Sequence, residues 1–517
     1  MSASTPVADP DAPAFSVANK GLLTLAVMGA TIIQILDSTI ANVAIPHMQT
    51  SLGATQDTIT WVLTSYIVAT AVAMPMTGWL SDRIGSRKLF LFAVGGFILA
   101  SMLCGIATSL TEMVAFRIFQ GMCAAFIGPL SQTIMLDINS PKDAPRAMAM
   151  WGMGIMVAPI FGPMIGGWLT ESYNWRWVFY VNIPIGIPTL AILWWLLPSR
   201  AIVKRHFDMF GFAMLALGLA TLQLMLDRGQ QEDWLQSWEI RIYLILIASA
   251  FWLFATHQFT TKTPMFERAL LSDRNFLTAL NFMVVVGMMM FGIFALLPPM
   301  LQNIYGYTVY DTGLLLAPRG IGILVAMFIA SRLAGKVDPR ALIFCGFIMT
   351  SGSMWMMTGW SLNMDWHLIV TTGLLQGFGM GFVFIPLNGI AFSTVPMRLR
   401  TDGSSLLYLF RSLGGSMGIS VMTTILARNL QISHSDLAGH ITSTSISMID
   451  PTTTERAGAL GEAAMKMLDL EVNRQAAMIA YLDDFKLMMI LVVVMSPLVF
   501  LLKPAPPISG PRPVLAD

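Results

Sequence analysis

The chain has 517 residues, of which 55% are hydrophobic and 11% charged, with a formal net charge of +1 and a mean hydropathy of +0.68. Soluble domains carry about 25% charged residues, so a soluble fold is excluded, and a charge so near zero gives no hold on nucleic acid or another polyanion. The three cysteines (Cys104, Cys123, Cys345) lie in apolar stretches without disulfide or metal spacing, and none of the six histidines stands in a metal-ligand pattern.

Residues 1–20 are polar and rich in Pro and Ala, with no basic n-region, and the apolar run after Lys20 outlasts a signal h-region, so no cleaved signal peptide is expected. From there fourteen apolar segments are long enough to cross about 30 Å of hydrocarbon as helices. They lie near 21–46, 57–80, 88–108, 112–135, 146–169, 177–198, 207–226, 239–259, 276–298, 312–333, 340–360, 367–391, 403–427 and 485–502. The prediction is an all-α polytopic membrane protein. Alternate loops, with Lys20, Lys503 and Arg512 in the tails, hold 19 of the 30 Lys and Arg residues. By the positive-inside rule that side is cytoplasmic, and both termini lie there. Trp61, Trp168, Trp175, Trp234, Trp238, Trp360 and Trp366 fall at the opposite helix ends, as an interfacial aromatic belt does.

The first span carries Asp37, within Leu36-Asp37-Ser-Thr-Ile-Ala-Asn42-Val-Ala-Ile-Pro46. A carboxylate at membrane depth costs roughly 2.5–3.5 kcal/mol even on the lenient insertion scale, so it faces a protein interior or a wet cavity. The fourth span holds Arg117, with Gln120 and Gly121 on the same helix face. A guanidinium keeps its proton, and Asp37 is its natural partner. Such a pair is expensive when merely structural, and movement of Arg117 would change the proton affinity of Asp37. Asp37 and Arg117 are therefore the candidate proton-coupling pair. Arg319 and Arg411 lie in later spans with no obvious intramembrane acid, and their role is left open.

Between the second and third spans, Gly78 and Gly85 permit tight turning around Asp82 and Arg83. In the fifth span Gly154, Ala158, Gly162 and Gly166 recur every four residues, giving a flat face for close helix approach, while Pro159 and Pro163 withdraw amide donors. The chain also repeats itself. Arg117 through Gly121 aligns with Gly373 through Gly377, Gly128-Pro129-Leu130 with Ile385-Pro386-Leu387, and Pro141–Arg146 with Pro396–Arg400. The division is a tail at 1–20, a six-helix half at 21–200, two inserted helices at 201–262, a second half at 263–502 and a tail at 503–517. Parallel six-helix repeats of this kind bind substrate near mid-membrane, between the halves. Within the second half, 428–484 reads as a long outer loop with helical pieces near 455–470 and 472–482, and the order of 434–454 is left open.

Several of these stretches carry a resemblance. Gly78-Trp-Leu-Ser-Asp82-Arg83-Ile-Gly85-Ser-Arg87-Lys88 resembles the signature between helices 2 and 3 of the major facilitator superfamily, and the Gly154–Gly167 stretch resembles the helix-5 signature of its antiporters. The Asp37 stretch, together with Trp175-Arg-Trp177-Val-Phe-Tyr-Val-Asn182-Ile-Pro184, is similar to the fourteen-helix drug:proton antiporters of EmrB/QacA type, and the long outer loop to EmrB-like inner-membrane pumps. The resemblance implies the major facilitator fold and a multidrug efflux antiporter of the bacterial inner membrane, exporting lipophilic drugs against protons. It further implies a periplasmic adaptor (a membrane fusion protein) and, through it, an outer-membrane channel. It assigns gating to Gly78, Asp82, Arg83 and Gly85 and to the seam of Gly154, Ala158, Pro159, Gly162, Pro163 and Gly166. Candidate substrate contacts are Gln34, Asn42, Gln120, Gln132, Trp151, Met156, Asn388 and Tyr408. An exporter of a native metabolite, or a membrane sensor or scaffold, are the rival readings. No phosphate-cradling Gly-Lys-Ser/Thr loop and no hydrolase pattern occurs, so neither an enzyme nor a cofactor is expected, with the proton gradient as the energy source.

Overall fold

The computed structural model describes residues 15, 17–140, 143–199, 202–203, 205–440 and 459–503. Its long helices, in chain order, are α1 (Lys20–Ser51), α2 (Trp61–Ile84), α3 (Ser86–Ile106), α4 (Leu110–Asp137), α5 (Ala144–Ser172), α6 (Trp177–Leu196) and α7 (Met209–Arg228). There follow α8 (Trp238–Thr260), α9 (Arg274–Asn303), α10 (Val309–Leu333), α11 (Pro339–Met357), α12 (Trp366–Ser393), α13 (Arg400–Gly439) and α14 (Ala459–Met495). Thirteen of these are long and apolar enough to cross a bilayer, and α5 occupies the place of the remaining predicted span.

Polar residues set where the helices start. The side chains of Asn19, Ser109, Asp208, Asp273 and Thr308 each accept a first-turn backbone amide of α1, α4, α7, α9 and α10, satisfying donors that would otherwise be orphaned. Gly85, at φ +90°, lets the chain turn directly from α2 into α3. Pro75 breaks α2 with a short 3-10 turn at Met74–Met76.

The helices pack in the same way twice. In the first half α1 lies on α5, α2 on α4, and α3 on α4; in the second α9 lies on α13, α10 on α12, and α11 on α12. The halves meet where α5 runs along α10 and where α13 runs along α2 and α4. Helix α7 lies across this second seam, against α2 and α13, and α8 packs on α7. Ser420 donates to the Leu226 carbonyl and Trp234 to Thr424, tying the inserted pair to α13.

Two expectations need correction. In the segment 428–484 the described residues form extensions of the flanking helices rather than separate helical pieces. Helix α13 runs unbroken to Gly439 and α14 begins at Ala459, so both project past the apolar spans, and His434 meets Asp469 at 3.3 Å where they run side by side. Of 434–454, 434–439 are helical, and 441–454 lie outside the described residues. Asp484 is fully buried within α14. Finally, Trp175 and Trp360 are buried, packed edge-on against Phe179 and Phe485, whereas Trp168, Trp238 and Trp366 are exposed as a belt requires.

Candidate functional site

Two charges that the sequence leaves stranded in apolar helices find each other. Arg117 Nη1 on α4 lies 2.5 Å from Asp37 Oδ2 on α1, with both side chains 0% exposed. Neutral donors complete the carboxylate: Gln120 Nε2 and Asn182 Nδ2 each donate to Asp37 Oδ1 at 2.9 Å, and both also reach Ser101 Oγ, at 2.8 and 2.9 Å. The guanidinium has further holds, donating from Nε to the Val62 carbonyl (3.0 Å) and from Nη1 to Gln120 Oε1 (2.7 Å). Its flat face stacks over Tyr66, 4.2 Å from the ring centre, with Phe179 at 5.6 Å. Five helices of the first half contribute to this one network. In so dry a setting each of these holds is strong, and none survives the loss of its partner without cost.

Asn182, Ser101 and Tyr66 do not stand out as site residues in the sequence. Asn182 lies inside the Trp175–Pro184 stretch, which is the available signal; nothing flags Ser101 in an apolar helix. Gln120, expected at the substrate, is a member of the charge network.

From Asp37 a buried stripe runs down α1 through Gln34 and Thr31, at helical spacing. Gln34 Oε1 has no partner among the described residues. Thr31 accepts from Trp151 Nε1 at 3.4 Å, and the Trp151 ring lies 6.3 Å from Tyr408. This brings the stripe to the seam between the halves, where Gln132 of α4 donates to Asn388 of α12 at 2.7 Å. Gln132, Trp151, Asn388, Tyr408 and Arg411 surround a small space there. Tyr408 lies directly on Gly128, where a Cβ would come within 2.5 Å of its ring. Of the remaining candidates, Asn42 is exposed and turned back on its own helix, donating to the Ser38 carbonyl. The side chain of Met156 is outside the described residues.

The face that carries the basic loops is latched. Arg205, in the segment after α6, bonds Asp402 at the start of α13 at 2.7 Å and lies 3.6 Å from Asp82. Beside it, Trp79 Nε1 donates to the Arg205 carbonyl and the Val203 amide to the Asp82 carbonyl. Gly78 sits against Asp402 so closely that a Cβ would overlap Oδ1. Arg400 reaches Asp137 across the same seam at 3.5 Å, and Thr133 meets Ser404 at 3.2 Å. Asp82 and Gly78 are thus brought to the junction, while Arg83 is exposed, its guanidinium over Trp79. In the sequence Arg205 and Arg400 read only as loop charges, and nothing there marks Asp402 or Asp137.

The small-residue face of α5 makes the close helix approach read for it, and it does so inside the first half. A Cβ added at Gly154, Gly162 or Gly166 would meet Met28, Thr39 or Ile40 of α1, respectively. The seam with α10 is made on the other side of α5, at Gly152 against Met327 and at Gly167 near Val309. Ala158 is buried, and Pro159 and Pro163 lie within the helix. At Gly162 any side chain would clash with Thr39 Oγ1, so Gly162→Leu is expected to lower stability by about 1–3 kcal/mol, read as a drop in the melting temperature of detergent-purified protein. An unchanged melting curve would show that α1 and α5 part easily. Gly377 and Gly381 in α12 pack on the α10 backbone, at Arg319 and Ile323.

A doubled six-helix packing joined by an inserted helix pair, with a buried ion pair in one half and a polar seam between, defines a membrane transporter. The family model described as Major Facilitator Superfamily matches residues 27–419, and the chain belongs to that superfamily. It is similar to the multidrug export protein EmrB of Escherichia coli K12, 37% identical over 80% of this chain and 82% of that one. It is also similar to the fatty acid resistance protein FarB of Neisseria gonorrhoeae, 35% identical over 96% and 98%. Among solved structures, the human organic anion transporter MFSD10 (TETRAN) superposes with a TM-score of 0.57 at 13% identity, covering 91% of this chain and 99% of that one, which shows the shared fold.

Proposed function

We propose that this protein is a proton-coupled multidrug efflux antiporter of the bacterial inner membrane, exporting hydrophobic and amphiphilic toxic compounds. The observation that carries the reading is the fully buried Asp37–Arg117 pair, because a static pair this dry is a poor source of stability. Names of relatives point the same way, toward multidrug export and fatty acid resistance.

In this reading a proton arriving on Asp37 removes the negative half of the pair. Arg117 keeps the Val62 carbonyl, Gln120 and the Tyr66 ring, so it has somewhere to stay while α1 loosens from α4. Because α1 carries Thr31 to Trp151 in the seam, a shift of α1 is felt where substrate binds. The basic face is cytoplasmic, and the Asp82–Arg205–Asp402 and Asp137–Arg400 contacts close it while the pump opens outward. Proton-coupled transport by purified protein in vesicles, wild type against Asp37→Asn, tests the assignment; normal coupling in the variant would overturn it.

The projecting ends of α13 and α14 are the docking element for a periplasmic adaptor and, through it, an outer-membrane channel. His434 and Asp469 already touch, so deleting 434–470 rejoins neighbouring points on two helices. That deletion is expected to abolish drug resistance in intact cells while transport in vesicles stays within about twofold of wild type, an interface being separable from the transport path. Undiminished resistance would remove the adaptor from the proposal.

A further inference from the structure

The second half repeats the packing of the first but not its charges. Gln120 of α4 serves a neutral ion pair, whereas its repeat counterpart Gln376 of α12 serves a lone cation, accepting from Arg319 Nη2. Arg319 comes from α10, and its backbone rests against Gly373 and Gly377. The counterpart of Arg117 in the repeat is Gly373, which leaves this space to Arg319. Both polar side chains are more than nine-tenths buried, and Arg319 Nε and Gln376 Nε2 have no partner among the described residues. Arg319 makes no ion pair among the described residues; its other contact is the Phe294 ring, 5.4 Å from the guanidinium carbon.

Around this pair the wall is soft and apolar: Met289, Met290, Phe294, Met327 and Met380. Phe384 separates it from the seam space, where Arg411 lies over Tyr408 at 4.0 Å, again without an acid among the described residues. Two buried positive charges therefore flank one route into the second half, and no carboxylate among the described residues offsets them.

We propose that Arg319 and Gln376 hold the head of an amphiphilic anion, a single carboxylate or phenolate on an apolar body, reached past Arg411 from the seam. The inference rests on the reading of the protein as an exporter and names the substrate class of that pump. Two orphaned N–H donors suit the two oxygens of a carboxylate. The methionines, unbranched and polarizable, can repack around apolar bodies of different shape. A lipophilic cation would be repelled, and a small hydrated anion would gain nothing from a methionine wall. In this state the chamber's free volume is about 20 Å³, room for about one water, so the Arg319–Gln376 bond closes the site and the ligand's oxygens replace it on entry.

The test uses the full chain in phosphatidylcholine nanodiscs without any proton gradient, titrated with dansyl-undecanoate and with its carboxamide, which has the same shape and no charge. Wild type should bind the carboxylate at least about tenfold more tightly, the range of a charge-assisted hydrogen bond. Arg319→Gln should abolish that preference. Gln376→Ala should weaken the carboxylate alone, and Arg319→Lys should retain part of it; these two keep the test decisive if Arg319→Gln elutes as aggregate. Equal binding of the two probes by wild type, or an undiminished preference in the variants, overturns the proposal. So does displacement of the probe by phosphatidylglycerol but not by laurate, which would assign the pair to a lipid headgroup. Charge-blind binding with intact proton-driven efflux sinks the substrate class alone, and selective binding with coupling intact in Asp37→Asn sinks the proton assignment alone.

Discussion

Asp37→Asn is expected to reach the membrane folded and to lose proton-driven efflux, moving a panel of lipophilic dyes no faster than empty liposomes under an imposed pH gradient. The amide preserves the shape of the carboxyl and still accepts from Gln120 and Asn182, which both donate to Oδ1. What it cannot do is exchange a proton or answer the charge of Arg117. That guanidinium keeps three other holds on α2 and α4, but it stays charged without its acid and faces an amide donor in place of Oδ2, so the variant should fold with a lowered melting temperature. Arg117→Ala is the harsher change. It leaves a carboxylate dry and unpaired at a cost of about 3–5 kcal/mol, and a lowered melting temperature should accompany its loss of transport. The contrast between the two variants separates coupling from folding.

The second large effect is expected at Gly78. Its position against the Asp402 carboxyl, with the Asp402 Cα at 3.3 Å from where a Cβ would stand, leaves no room for a side chain while the basic face is closed. Gly78→Val should therefore hold that face open and slow transport by about tenfold, the scale of a 1–3 kcal/mol overpacking cost. Ser404 gives the readout, since it is fully buried beside Thr133 in the latched state. A cysteine placed there should react with a membrane-impermeant maleimide in the Gly78→Val background, and stay protected in the parent. Equal protection in both would mean that the Asp402 contact does not govern closure.

Asp37 and Arg117 were legible because a charge in an apolar run has to be answered by something, and few groups nearby qualify. The neutral members of the same network were not, since a serine or asparagine in a membrane helix can satisfy itself on its own backbone, as Asn42 does. The period of small residues in α5 announced a flat face, but a period carries no address: only the fold shows that the face meets α1 while α10 lies on another side. Arg205 looked like one loop cation among many, and its role depends on Asp402, a residue 197 positions away. Hydropathy ended two helices where their apolar residues thinned out, whereas backbone hydrogen bonding continued through polar sequence to Gly439 and back from Ala459.

Those two continuous helices have a mechanical consequence. With 40 residues in α13 and a rise of about 1.5 Å each, the rod is about 60 Å long, so tilting it by roughly 10° sweeps its far end through about 10 Å. A rocking motion that shifts the middle of the rod by about 5 Å thus arrives at the distal tip as a stroke twice as large, the width of another helix. Whatever grips that tip would sense each turnover as a push.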